Sequence, residues 1–431
     1  MISRKVPILL ALLALSAVLA LADLAAGAGR RVGLDTSYGK DGVVLLNPRG
    51  PKGEASFESG PNSVALGFAA ATDGSAYVMA KLENCWKTCH DGPYVARFDP
   101  DGSADTGFGK DGRLELPTRD DHYTVGVDAA GKVLVAYVQG ARLVIRRFGS
   151  DGSADTSFGR AGTKTLPCGC GGYGQFRWVK APRGRMLFVV DQELSKDEGG
   201  SRFQVFRLLP DGGLDHSFGK AGKATFKSPH RELARAVVVS PGGAILIGGS
   251  NCCGARQIFL ERVGPGGRPD RAFDRVAARS ARRLTSLGEF PTLTALAPIA
   301  GGGVAALGTS EGRHGFYLRL RKDGHLDRGF GKRGLARLPF LVDAAAPGTG
   351  GAIFVIGETK PYARYHAFRV LPNGRPDPAY HGAAGIRVPL PGYPARATPI
   401  APGKVLVTDK GGYECIRQCT PAEPGLARFL E

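Results

Sequence analysis

Apolar residues in this chain come in short β-prone runs, cut at close intervals by glycine. One set comprises Val43–Leu46, Arg113–Leu116, Thr163–Leu166, Lys223–Phe226, Leu335–Leu338 and Ile386–Leu390. After these come pairs of runs folded about a glycine turn, such as Tyr123–Val127 with Lys132–Val138 and Arg235–Val239 with Ala244–Ile247. Two β-prone runs joined by a tight glycine turn predict a hairpin. A last run closes each unit: Tyr94–Phe98, Leu143–Phe148, Gln204–Leu208, Ile258–Val263, Phe316–Leu320, Ala367–Val370 and Leu426–Leu430. Stretches such as AVVV and AILIG are apolar on both faces, which suits strands covered on either side. No long stretch carries a sustained apolar stripe at helical spacing, so no helix is expected.

The polar positions between units are more regular still. Phe148–Gly162 reads FGSDGSADTSFGRAG, with near-copies at Phe98 and Leu208. The aspartate of this motif recurs at Asp35, Asp105, Asp155, Asp215, Asp270, Asp327 and Asp377, 50 to 70 residues apart. Seven copies of one four-run unit predict an all-β fold, a seven-bladed β-propeller of four-stranded antiparallel blades. The chain begins with a motif and ends on a closing run, so Val43–Leu46 is placed to join the last blade. An open β-solenoid is the alternative architecture.

The motif residues have local jobs. Asp-Gly or Asn-Gly at Asp101, Asp151, Asp211, Asp323 and Asn373 turns the chain. The motif aspartate is suited to accept hydrogen bonds from N–H groups two or three residues on. Phe108, Phe158, Phe218, Phe273, Phe330, Tyr38 and Tyr380 supply one ring per unit to fill the wedge between blades. Copies five and seven depart from the pattern, with Asp274 in place of the glycine and His381 after Tyr380, so blade five should be the least regular. Asp99, Asp101 and Asp105 raise calcium as an alternative. Only one copy has the first of these, and a calcium cage needs more oxygen ligands than the other copies offer. The structural turn is the preferred reading, and no cofactor is expected.

The core Asp211-Gly212-Gly213-Leu214-Asp215-His216-Ser217-Phe218-Gly219, with Gly222 following, resembles the delta-60 repeat family. The likeness spans about Gly33 to Glu431. It implies a propeller-like repeat domain at the cell surface or outside the cell, and it implies no reaction and no catalytic residues.

Residues 1–28 look separate from the repeats. Arg4 and Lys5 precede an uncharged apolar run from Ile8 to Ala22, and small residues follow. That pattern is a secretory signal peptide, cleaved after Ala22 or Ala28, which leaves residues 29–431 as a single propeller domain. The mature chain should be secreted or attached to the cell envelope, without a membrane span, as a monomer. Cysteine usage agrees with an oxidising compartment. Eight cysteines fall in four close pairs, Cys85/Cys89, Cys168/Cys170, Cys252/Cys253 and Cys415/Cys419. We expect local bonds for Cys85–Cys89 and Cys415–Cys419, and cross-bonding between the other two pairs, which are too close for relaxed local bonds.

The formal charge of +18 favours contact with polyanions, but the basic residues are scattered, and a solvated surface is the preferred account. The short cluster Arg279–Arg283 (RSARR) is treated in the same way. Dispersed histidines make no metal-ligand spacing. Gly308–Gly312 matches GxSxG, but a strand follows where a nucleophile elbow needs a helix. Phosphate-cradling, dinucleotide and RNA-binding motifs are absent. Two readings remain. The first is an exported scaffold that binds a protein or an anionic wall polymer through Asn47–Asn62, Glu83–Pro93, Cys168–Gly174, Glu193–Ser201 and Asp409–Gly425. The second is an enzyme, a hydrolase, lyase or quinoprotein-type oxidoreductase, with charged residues converging in an axial pocket.

Overall fold

The computed structural model describes residues 32–45, 62–83, 93–116, 123–169, 175–194, 200–228, 232–251, 257–285, 291–310, 314–360, 364–390, 394–409, 412–415, 419–422 and 425–431. The fold is a seven-bladed β-propeller of antiparallel sheets in a ring. In each blade the glycine-turn hairpin forms the two inner strands and the closing run forms the third. The run after the motif then doubles back as the outer strand of the same blade. Arg113–Glu115 pairs with Tyr94–Phe98, for example, and Thr163–Pro167 with Arg142–Phe148. The motif therefore joins the third and outer strands of one blade, and the outer run belongs to the blade before it, not to the one after. Ring closure follows from this offset. Val43–Leu45 pairs with Gly425–Leu430, so the start of the repeats supplies the edge of the last blade.

Blade four departs from the plan. Its sheet has three strands, and a helix, α1 (Arg271–Thr285), stands where the outer strand belongs. The irregularity expected at the fifth motif is thus real, but it falls on blade four. It also corrects the expectation of no helix. Phe273, Ala277, Ala281 and Leu284 are spaced at helical intervals and all are buried against the sheet.

The core is divided into seven wedges between neighbouring blades, and each contains one motif ring. Phe108, Phe158, Phe218, Phe273, Phe330, Tyr380 and Tyr38 are each at most 3% exposed. Burial of a side chain of this size stabilises by about 1.5–3 kcal/mol.

The turn that carries the ring is tied locally. Oδ1 of Asp35, Asp105, Asp155, Asp215, Asp327 and Asp377 accepts from the N–H two residues on, and that of Asp270 from Phe273, at 2.9–3.3 Å. The other oxygen faces an arginine of the third strand, always eight residues earlier in the linear chain: Arg97, Arg147, Arg207, Arg262, Arg319 and Arg369. Arg428 plays this part for Asp35 across the closure, at 2.7 Å. Five of these guanidiniums also donate to a turn carbonyl of the next blade, namely Pro210, Pro265, Lys322, Pro372 and, from Arg428, Pro100. Arg147, Arg207, Arg262, Arg319 and Arg428 lie over the motif ring, 4.1–5.6 Å from its centroid. One arginine thus ties its own motif to the neighbouring blade. The turn glycine makes that approach possible. Gly152 has φ 84°, and a Cβ there would lie 2.7 Å from the Gly109 nitrogen of the blade before.

Candidate functional site

The innermost strands of all seven blades line one axial cavity of about 360 Å³. Its polar residues come from six of them: Thr124, Arg177, Arg235, Thr294, Asp343 and Arg396, while blade one contributes Leu66 and Phe68. Pairing register places these residues at one level. Thr124, Arg177 and Arg396 stand opposite Ala136, Val189 and Thr408 of their second strands. Leu66, Arg235 and Thr294 occupy bulges, each the extra residue between two paired neighbours. A bulge leaves a residue outside the ladder and re-aims its side chain. Asp343 precedes its strand and donates its N–H to Ile356 at 2.9 Å.

The cavity lies toward the ends of the second strands, since Thr408, Asp409, Gly425 and Leu426 also line it. On that face the second strands end and the third strands begin; most of the expected contact loops (47–61, 84–92, 170–174 and 195–199, with parts of 410–424) lie outside the described residues. The motif turns lie at the opposite ends of the strands.

Arg396 and Asp343 keep solvent-accessible surface, although protein surrounds them on all sides, as befits a wet shaft. Burial lowers the Arg396 pKa, and the Arg177 charge lowers it further. Burial likewise lowers that of Arg177, with Asp191 opposing and the Arg235 charge adding to the shift. Arg177 is therefore repelled by Arg235 on one side and repels Arg396 on the other. Arg396 donates to the Phe68 carbonyl at 3.4 Å. Asp343 is pushed up to about 6, first by burial and then by the charge of Glu358. Asp409 accepts the Gly425 N–H at 2.6 Å. Converging donors of one sign in a concave site can hold an anion, because guanidinium forks match carboxylate and phosphate oxygens.

No local pattern in the sequence singles out these axial residues. Arg177, in QFRWVK, looks like any strand arginine, and only the register brings it level with Arg396. The motif arginines, by contrast, carry a legible signal that the motif count alone passes over, the fixed spacing of eight before six of the seven aspartates.

The cysteines are mostly outside the described residues: Cys85, Cys89, Cys170, Cys252 and Cys253. Cys168 is buried. Its N–H donates to Ala141 of blade two, and its carbonyl accepts from Gln204 of blade three. Cys415 and Cys419 stand opposite each other across a small hairpin. The segment with signal-peptide character also lies outside the described residues. Among those described, no helix is long and apolar enough to cross a membrane, and no group of three or more His, Cys, Asp or Glu could hold a metal ion.

Comparison with known proteins adds to the fold. The family described as "Domain of unknown function (DUF5122) beta-propeller" matches residues 91–108, the third strand and motif of blade one. This short match fits a propeller repeat family. No curated protein matches the chain in sequence. Solved structures with similarity to it include the PQQ-bound aldose sugar dehydrogenase of Streptomyces coelicolor, 11% identical, covering 90% of this chain and 98% of that one, with a TM-score of 0.38. A protein of unknown function from Dyadobacter fermentans is 11% identical, with 90% and 100% coverage and a TM-score of 0.39. The calcium-binding protein regucalcin from Agrobacterium tumefaciens is 13% identical, with 70% and 85% coverage and a TM-score of 0.38. These likenesses carry no chemistry over to this chain.

Proposed function

We propose that this protein is an exported propeller of the delta-60 type that binds an anionic ligand, seating one acidic group of it among Arg177, Arg235 and Arg396. The observation that carries the reading is the convergence of these three arginines in one axial cavity. Like charges gathered in a confined site favour an added counter-ion, here even with Asp191 offsetting part of the Arg177 charge and with Asp343 and Asp409 in the lining, and such arrangements concentrate where ligands bind. The long connections on that face supply the rest of the contact with a wall polymer or a protein. Local bonds Cys85–Cys89 and Cys415–Cys419, and cross-bonding of Cys168/Cys170 with Cys252/Cys253, would brace the mouth. Peptide mapping without reductant tests that bracing, and bonds within every pair would exclude the cross-link.

Calorimetric titration with citrate and with inorganic phosphate tests the site. We expect saturable binding that Arg396→Gln weakens at least tenfold, about 1.4 kcal/mol. Equal affinity in the variant would remove the axial arginines from recognition.

One observation favours a second, enzymatic reading. Asp343 shares the cavity and holds its carboxyl at about 6, where a group can both give and take a proton near neutral pH. Incubation with acidic cell-envelope polysaccharide, followed for release of new chain ends, tests it. Release that Asp343→Asn abolishes would establish catalysis; no release from the intact protein would leave binding alone.

A further inference from the structure

The outer edge of blade four differs from every other described blade edge, because a helix takes the place of a strand. The inner face of α1 is accounted for by Phe273, Ala277, Ala281 and Leu284. Its outer face carries Arg271, Arg275, Arg279 and Arg282, all exposed. Steps of four, four and three residues keep them on one side of the helix. At 1.5 Å per residue they form a cationic line about 16 Å long.

The helix has no acid a turn before or after Arg275 or Arg279. Its single acid, Asp274, turns inward and accepts the Arg262 N–H at 2.8 Å, touching only the first arginine of the line, Arg271, at 3.8 Å. The face is also unsuited to apolar partners. The large hydrophobic residues exposed among the described ones are Val32 and Leu45, and neither is on α1. A lipid bilayer or a protein hot spot would call for apolar anchors that this face lacks. The helix has five arginines and no lysine. Guanidinium is the cation that grips phosphate oxygens in pairs.

We propose that the outer face of α1 is a docking strip for a linear phosphate polymer, lying along Arg271, Arg275 and Arg279. The strip is separate from the axial pocket, and the two assignments stand or fall independently. It also gives part of the basic charge, which looks scattered in sequence, a defined place on the fold.

The test uses the full mature chain and long-chain inorganic polyphosphate as the probe, with binding followed by fluorescence anisotropy at several salt concentrations. Arg275→Gln with Arg279→Gln should lower affinity at least tenfold and reduce the salt slope by about 1.5, the contribution of two phosphate contacts. Both positions are exposed, so the thermal midpoint should hold and show that the variant is folded. Arg142→Gln with Arg364→Gln, also exposed but away from the helix, should bind as the unaltered protein does. An equal loss in the control pair would overturn the proposal in favour of diffuse net charge. Tighter binding to polyglutamate than to polyphosphate would overturn the choice of phosphate. Anionic phospholipid vesicles binding where polyphosphate does not would replace the polymer with a membrane.

Discussion

Arginine is used in two opposite ways at the two ends of the strands. At the motif end each guanidinium meets a carboxylate, lies against an aromatic ring or donates to a turn carbonyl, so its charge is spent within the protein. At the axial mouth the Arg235 charge adds to the lowering of Arg177, which Asp191 opposes, and the Arg177 charge adds to the lowering of Arg396. The first arrangement holds blades together. The second leaves cationic charge turned toward the solvent of a cavity. What distinguishes a structural arginine from a binding one here is the carboxylate, ring and carbonyl that the fold supplies, and with them exposure: the clamp side chains are 7–25% exposed, whereas Arg235 and Arg396 are exposed.

Removing a clamp should have the largest effect. Arg147→Ala leaves Asp155 and Asp128 without the cation that bridges them in a buried setting, and should cost about 3–5 kcal/mol in chemical denaturation. A loss below about 1 kcal/mol would mean that the clamps are ornamental and the comparison fails. The carboxylate side should matter less. Burial pushes Asp215 up, but hydrogen bonds from Ser217 and Arg185 and the Arg207 charge outweigh it and hold the group at about 2. A lowered folded-state value gives stability that is present above about pH 4 and is lost as pH falls toward 2. Asp215→Asn should therefore cost about 2.5 kcal/mol at pH 7 and almost nothing at pH 2. Denaturation curves at the two values check both magnitude and sign.

At the axis the sign should reverse. Arg396→Gln removes a repelling charge, so the unliganded protein should gain stability, by under about 1 kcal/mol once water in the shaft is allowed for. Thermal midpoints at low salt read this directly, and a destabilised variant would show that Arg396 is a clamp like the others. The smallest effect concerns Asp343. Its carboxyl is neutral below about 6 and opposes a bound anion above it. Citrate binding should weaken as pH rises through that value, beyond the change due to citrate itself, and Asp343→Asn should flatten the difference. Glu358 lies near enough to broaden the transition.

Much of the ring is legible in the residues alone. Strand boundaries, glycine turns, seven units and the pairing of Val43 onward with the last blade all depend on neighbours in sequence or on counting. Two further local signals are present but easily missed. An arginine stands eight before six of the seven motif aspartates, and Phe273, Ala277, Ala281 and Leu284 are helically spaced. The helix is masked because the fifth motif resembles a damaged copy of a strand-forming unit. In fact the loss of its glycine at Asp274 removes the turn and lets the helix run on.

The linear sequence by itself determined the ring: how many blades, where each turns, and which residues fill the wedges. These features use contacts within one unit, and a repeated unit announces them seven times. Only the tertiary structure decided which arginines are neutralised and which converge. Residues 177, 235 and 396 become neighbours through ring closure and through bulges that shift a side chain without leaving a mark in the local pattern. Their meaning lies in distance across the axis, a quantity that exists only once the chain has closed.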